Sequence, residues 1–130
     1  MRAVDANVLV RLAARDDARQ TGAAEAFVAG GAWVPHLALV EAMRVLASLY
    51  DLGPEKIATA VEMFLHHRHL TVQDAEVVAA ALAQFRRRPA LGFSDCLILE
   101  VARKAGHLPL GTFDRQLGKL EGTQRLNRLC

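Results

Sequence analysis

The segment 92–114 (GFSDCLILEVARKAGHLPLGTFD) constrains the fold more than any other part of the sequence. Ser94 is a favourable N-cap, and an acid such as Asp95 is favoured in the first turn of a helix. Apolar residues then recur with the helical period, at Leu97, Ile98, Val101 and Ala102. The segment therefore begins with a predicted helix that has a carboxylate near its N-terminus.

The second half of this segment predicts a turn and a strand. Gly106 is suited to a left-handed helix stop, and Pro109 follows three residues later. Residues 108–112 form a predicted short buried strand, and Asp114 follows where that strand should end. Open α/β sheets bind their ligands at this edge, so the two acids indicate a site.

The same alternation of short strands and helices extends along the whole chain. Further strands are predicted at residues 2–4, 33–35, 70–72 and 124–126. Helices are predicted between them: one capped by Asn7, three near residues 19–29, 37–49 and 54–65, one capped by Asp74, and a short one at 115–120. We expect an α/β fold, a three-layer α/β/α sandwich around a short, mainly parallel central sheet. At 130 residues, the chain should be one domain.

Composition narrows the cellular setting. No apolar run reaches the roughly 18 residues of a membrane span, and the interrupted N-terminus makes a poor signal peptide. Two cysteines, Cys96 and Cys130, do not make a disulfide framework, and Cys96 is predicted to be a buried thiol. These features favour the reducing cytoplasm and no membrane association.

Positive charge is unevenly distributed, although the net charge is only +2. Arginines form a run at 86–88, and the C-terminal third contains Arg103, Lys104, Arg115, Lys119, Arg125 and Arg128. A basic surface around an acidic pocket is typical of nucleic-acid binding. Solvated helix faces are the alternative explanation for any single arginine.

Four acids lie at positions that suit a shared site: Asp5, Glu41, Asp95 and Asp114. Two follow predicted strands and two lie early in apolar helices, and these ends share one edge of a doubly wound fold. Converging carboxylates repel one another, so we expect a raised pKa in at least one of them, or a bound cation. Oxygen ligands of this kind suit Mg²⁺ or Mn²⁺, which can hold a phosphodiester and activate water.

A second possible metal site is the histidine group His66, His67 and His69. Imidazoles bind zinc, but no cysteine or carboxylate stands at a usual spacing nearby. A loop between a helix and a strand explains these residues better.

Four motifs, DANVLVRL, VEAMRVL, FSDCLILEVARKAG and TFDRQLGKL, occur in an order that resembles the PIN-domain ribonucleases. The toxin components of VapBC-type toxin–antitoxin systems are the most similar members. The resemblance covers the whole chain, 1–130, as a single PIN domain. It departs from the family at Ala6, where many relatives carry a hydroxyl residue.

The resemblance implies a metal-dependent endoribonuclease in which Asp5, Glu41, Asp95 and Asp114 hold one or two Mg²⁺ or Mn²⁺ ions. It gives supporting roles to Asn7 and Ser94, and makes Thr112 a candidate for holding a water or a neighbouring carboxylate. It also implies a homodimer, inhibited by a small cognate antitoxin with a DNA-binding domain. We expect that antitoxin to place an arginine among the acids and an apolar segment in a nearby groove. Arg11, Arg15 and Arg44 are among the candidates for holding the RNA backbone.

Other functional classes remain open. A phosphatase of the haloacid-dehalogenase type would use Asp5 as nucleophile, but Asn7 stands where that chemistry needs a second acid. A phospho-accepting receiver domain needs paired N-terminal acids and a late lysine. A PIN-like domain kept only for binding would usually have lost some of its acids, and all four are present.

Overall fold

A computed structural model describes residues 1–127 of the chain, and Arg128 and Cys130 lie outside the described residues. Strands and short helices alternate as the sequence predicts. The strands are β1 (Arg2–Ala3), β2 (Ala32–Val34), β3 (Leu70–Val72), β4 (Leu110–Thr112) and β5 (Thr123–Arg125). The helices are α1 (Ala6–Ala14), α2 (Ala18–Val28), α3 (His36–Ser48), α4 (Pro54–His66), α5 (Ala75–Arg87) and α6 (Phe93–Ala105), with a 3₁₀ turn at Leu117–Lys119. None of the helices within residues 1–127 is long and apolar enough to span a membrane.

The chain divides into two compact units, an N-terminal unit (Met1–Ala75) and a C-terminal unit (Glu76–Cys130). The N-terminal unit contains a parallel sheet in the order β1-β2-β3. In β2 and β3 the residues at the two ends are buried and the middle residue is exposed, as expected for strands with one face against a core. The fully buried side chains of this unit come mainly from its helices, among them Leu9, Leu39, Leu46, Val61 and Phe64.

The C-terminal unit combines α5 and α6 with a second parallel sheet, β4-β5. Phe85 of α5 contacts Phe93 of α6 edge to face, with ring centroids 6.2 Å apart. Gly106 ends α6 in the left-handed conformation, at φ 84°, as predicted. The α/β class with short parallel strands is therefore confirmed.

Several helix starts differ from the sequence predictions. Asp5, and not Asn7, caps α1, because its carboxylate accepts the N–H of Val8. Ser94 lies inside α6, which begins at the buried Phe93, and Gly92 occupies the N-cap position without a side-chain bond. Asp74 precedes α5 with φ 41°, outside the extended conformation typical of an N-cap.

The segment after α6 is more exposed than its composition predicts. Strand β4 is half-buried at its ends and exposed at Gly111, so the prediction of a buried strand at 108–112 was wrong. Two residues assigned to the apolar face of α6 also contact solvent, since Ile98 is 52% and Val101 is 40% exposed. The helix predicted at 115–120 is the shorter 3₁₀ turn.

Candidate active site

Asp95 lies in the first turn of α6 and is half-buried. Burial raises the pKa of its carboxyl group above the ordinary value, and the negative charge of Asp114 raises that pKa further. The sequence predicted such a rise from mutual repulsion of the acids, whereas at Asp95 burial is the larger cause and the charge of Asp114 the smaller one. The C-terminal unit therefore holds two like-charged carboxyl groups within electrostatic reach of each other.

Asp114 is held in place from both sides by the backbone that follows β4. The hydroxyl Oγ1 of Thr112 accepts the N–H of Asp114 at 3.0 Å. The carboxylate Oδ1 of Asp114 accepts the N–H of Leu117 at 2.8 Å, at the start of the 3₁₀ turn. Thr112 thus supports the acid through its backbone, and the 3₁₀ turn orients the carboxylate.

The two acids of the N-terminal unit each have a local partner. Asp5 lies two residues after the end of β1, and its Oδ1 accepts the N–H of Val8 at 3.2 Å. Glu41 lies in the second turn of α3 and forms an ion pair with Arg44, one helical turn later. Asp5 therefore caps a helix, and Glu41 pairs with a surface cation.

Each unit contributes two of the four predicted acids. Over the described residues 1–127, neither unit by itself groups three or more His, Cys, Asp or Glu side chains as a metal site. The donors are all carboxylate oxygens, which are the ligands that Mg²⁺ and Mn²⁺ prefer. The charge repulsion between Asp95 and Asp114 is also the kind that a cation removes, so the donor set fits such an ion.

The polar residues that accompany these acids have different surroundings. Asn7 is exposed in the first turn of α1, and Ser94 is half-buried beside Asp95 in α6. Thr112 was predicted to hold a water or a neighbouring carboxylate, and in the structure its hydroxyl accepts the backbone N–H of Asp114.

Sequence reasoning missed one charged pair in α6. Glu100 is buried, and its Oε1 accepts a hydrogen bond from Nε of Arg103 at 3.2 Å. Arg103 also donates from Nη2 to the backbone oxygen of Glu121 at 2.9 Å. An acid and an arginine three residues apart in an apolar helix is the sequence signal that could have revealed this pair.

The single cysteine of α6 is not a nucleophile at neutral pH. Cys96 is fully buried, as predicted. Burial, followed by the negative charges of Asp95 and Glu100, raises the pKa of its thiol to about 11. Because only the thiolate is reactive, Cys96 serves as a small apolar side chain of the core.

The three histidines lie at the end of α4 and in its connection to β3. Nδ1 of His67 accepts the N–H of His69 at 3.1 Å, so the lone pair of this nitrogen is already engaged. Burial lowers the pKa of His67, and the positive charges of His69 and Arg68 lower it further, against an opposing effect of Glu25. The structure is that of a helix-to-strand connection, which was the preferred interpretation.

The basic residues fall into two groups. Arg11 and Arg15 form ion pairs with Asp16 at 2.9 Å and Glu25 at 2.8 Å, and Arg44 pairs with Glu41. In the C-terminal unit, a groove of about 570 Å³ is lined by Gln84, Arg87, Arg88, Lys119, Leu120 and Glu121. Three cations against one acid give this groove a positive charge.

Comparison with known proteins identifies the family. No curated protein and no solved structure matches the chain significantly. The family model described as PIN domain matches residues 2–122, which include all four acids and residues of both units. The chain therefore belongs to the PIN domain family.

Proposed function

We propose that this protein is a Mg²⁺- or Mn²⁺-dependent endoribonuclease that acts as the toxin of a type II toxin–antitoxin pair in the cytoplasm. PIN domains are generally nucleases and usually bind divalent metals. The observation that carries the proposal is the pair Asp95 and Asp114, two carboxyl groups held within electrostatic reach inside a PIN domain match. A fold gains no stability from such a pair unless a cation joins it.

We propose that Asp5, Glu41, Asp95 and Asp114 hold the ion, as one site of a single PIN domain over residues 1–130. The family match supports one domain because it extends across the boundary between the two units. A bound divalent ion supplies positive charge for the phosphate and lowers the pKa of a water. The chain itself orients the donors: the N–H of Leu117 holds one oxygen of Asp114, and Thr112 holds its backbone.

Hydrolysis with water as the nucleophile suits the side chains of this protein better than covalent catalysis. The Cys96 thiol is buried and has a pKa of about 11, so it does not attack phosphorus. One carboxylate oxygen of Asp5 accepts the N–H of Val8 as a helix cap. The PIN family match also argues against the haloacid-dehalogenase alternative, which needs Asp5 as a nucleophile.

A nucleic acid is the substrate class that the charge distribution favours, and the resemblance to the PIN-domain ribonucleases makes RNA our proposal. The groove of the C-terminal unit presents Arg87, Arg88 and Lys119, and cations of this kind bind phosphates without regard to sequence. In the N-terminal unit, Arg11, Arg15 and Arg44 are paired with acids of the chain. We therefore assign the main RNA backbone contacts to Arg87, Arg88 and Lys119.

A small DNA-binding antitoxin and a homodimer complete the proposal. The exposed Ile98 and Val101 of α6, one and two turns after Asp95, are apolar side chains of the kind that a protein partner covers. The antitoxin would place an arginine on the acids and an apolar segment on these side chains.

The test is incubation of the purified protein with labelled single-stranded RNA, in chelator, in Mg²⁺ and in Mn²⁺. The proposal expects endonucleolytic fragments only in the presence of a divalent ion. Intact RNA in every condition, with binding retained, would favour the binding-only alternative. Release of phosphate from a phosphomonoester, with intact RNA, would favour the phosphatase.

A further inference from the structure

The C-terminal unit has a second open pocket, lined in part by Phe113, the residue before Asp114. It has a volume of about 600 Å³ and is lined by Phe113, Arg125, Leu126 and Asn127. Phe113 is the residue before Asp114, and 62% of its surface is exposed. A phenylalanine exposed to this extent gains little stability from burial, so most of its ring is free to contact a ligand.

The pocket is built on the β4–β5 sheet, which fixes its walls. Thr112 pairs with Arg125 in the parallel register, and the N–H of Leu126 donates to the oxygen of Thr112 at 2.7 Å. Phe113 and Leu126 therefore leave the sheet side by side at its end. The backbone that orients Asp114 also positions the aromatic ring.

Arg125 is packed closely at the base of its side chain. A Cβ added at Gly118 would lie 2.9 Å from Cβ and 3.3 Å from Cγ of Arg125. Glycine at 118 therefore allows the 3₁₀ turn to approach Arg125 and to hold the start of its side chain. Within residues 1–127, the guanidinium of Arg125 has no ion pair or hydrogen bond with another side chain.

We propose that this pocket binds an unstacked nucleobase of a single-stranded RNA, with the base on the ring of Phe113 and Arg125 on the adjoining phosphate. The inference rests on the proposed function, since it assigns a base site to the same nuclease. Aromatic side chains stack bases splayed out of single strands, and arginine binds phosphates with a planar fork. The volume lies within the range of small-molecule pockets and accommodates one nucleoside.

The position of the pocket gives it a role in selecting the cleavage site. Phe113 and Asp114 are consecutive residues after β4, so the proposed base site and the acid belong to the same short segment. The pocket therefore holds the strand in register with the acid. Double-stranded RNA keeps its bases stacked and paired, so it does not enter the pocket.

The experiment measures binding without cleavage. A short single-stranded RNA that carries 2-aminopurine is titrated with the full chain in chelator, and the quenching of the fluorescent base reports stacking. Phe113→Ala should weaken binding by roughly ten- to a hundredfold and remove the quenching, because base–aromatic stacking has that magnitude. Phe113→Trp should retain both. Leu49→Ala is the matched control, since Leu49 is also exposed but lies in the other unit.

Equal dissociation constants for wild type and Phe113→Ala would overturn the base site, as would equal quenching by a duplex of the same sequence. A change from dimer to monomer in Phe113→Ala would also overturn it, because the pocket would then be a protein interface. The outcome for the ribonuclease proposal is separate. Cleavage in Mn²⁺ at equal rates by both proteins removes only the base site, whereas Phe113-dependent binding without cleavage in any metal removes only the ribonuclease.

Discussion

The predicted site acids have different surroundings in the two units. In the N-terminal unit, Asp5 accepts the N–H of Val8 and Glu41 pairs with Arg44. In the C-terminal unit, Asp95 is half-buried and lies within electrostatic reach of a second acid, Asp114. Asp114 also has a local partner, the N–H of Leu117, so the difference between the units lies at Asp95, which is half-buried and has a second acid as its charged neighbour.

This difference separates structural from functional contributions. A helix cap or a surface ion pair accounts for an acid without any ligand, and each contributes at most about 1–2 kcal/mol to stability. A like-charged pair costs stability, and it persists in a sequence only for another reason. The C-terminal pair is therefore where loss of a carboxylate should affect activity most cleanly, while the N-terminal acids should show mixed effects.

The largest expected effect is the loss of RNA cleavage in Asp95→Asn. This substitution keeps the shape of the side chain and removes one metal-binding charge. Loss of a group that only supports a ligand costs roughly 10–100-fold, so loss of a ligand should lower RNA cleavage by about a hundredfold or more. Cleavage of labelled RNA in Mn²⁺ measures it. Glu76→Gln is the control, because Glu76 belongs to the same unit and pairs with Lys104 on the surface.

Comparable cleavage rates for Asp95→Asn and Glu76→Gln would remove Asp95 from the proposed site. Loss of activity together with a melting temperature below the assay temperature would show that the variant is unfolded. The circular dichroism spectrum and the melting curve of each variant therefore accompany the rates.

At Asp5 the two contributions can be separated by two substitutions. Asparagine is as good an N-cap as aspartate, so Asp5→Asn should leave stability nearly unchanged and still reduce cleavage strongly. Asp5→Ala loses the bond to Val8 as well and should cost about 1 kcal/mol of unfolding free energy. Cleavage assays and denaturant unfolding of both variants test this. Full activity in Asp5→Asn would leave Asp5 with only its capping role.

The elements that could be predicted from sequence are those with strong local signals. Strand β3 has the predicted bounds, and Pro54 begins α4 as predicted, because a proline is favoured at the first helical position. The proximity of Asp95 and Asp114 also followed from local reasoning. A helix start and a strand end that are close in sequence tend to meet at one edge of a sheet.

The features that could not be predicted depend on tertiary packing. Asp5 and Asn7 are both good caps, and the choice between them depends on where the helix first finds buried neighbours. Packing also decides the start of α6. The helix begins before Ser94, at Phe93, because Phe93 packs against Phe85. The helical period did not predict the exposure of Ile98 and Val101. It shows which residues share an apolar stripe, but not which part of that stripe other elements cover.

A smaller effect should appear in stability when Asp114 is neutralised. The folded state of Asp95 has a raised pKa, so its stabilising contribution is complete below the unfolded pKa of about 4 and is lost as pH rises through the folded pKa. At pH 7 the metal-free pair therefore costs stability. Asp114→Asn removes the second charge and keeps an oxygen for the N–H of Leu117, so its melting temperature in chelator should exceed that of wild type by a few degrees.

Asp114→Asn should also be stabilised less than wild type when metal is added. Binding to the native state adds about 2.7 kcal/mol at a hundredfold excess of ligand over Kd, and Asp114→Asn should lose much of this gain. Thermal melts of both proteins, in chelator and in Mn²⁺, measure the two changes together. Equal Mn²⁺ shifts, with no gain of the variant in chelator, would show that Asp114 does not share a metal site.

The smallest expected effect concerns His67, whose pH dependence has the opposite sign to that of Asp95. Burial lowers its pKa, and protonation would also remove the acceptor lone pair that binds the N–H of His69. Its contribution to stability is therefore complete above about pH 6.5 and is lost as pH falls through the folded pKa. His67→Asn keeps an acceptor near the position of Nδ1 and does not titrate. Between pH 7.5 and 5 its melting temperature should fall by about one or two degrees less than that of wild type.

His107→Asn, at an exposed position of the C-terminal unit, is the control and should follow wild type. Parallel curves for all three proteins would mean that His67 causes no loss of stability in acid, and the difference in pH dependence between the two units would then rest on Asp95 alone.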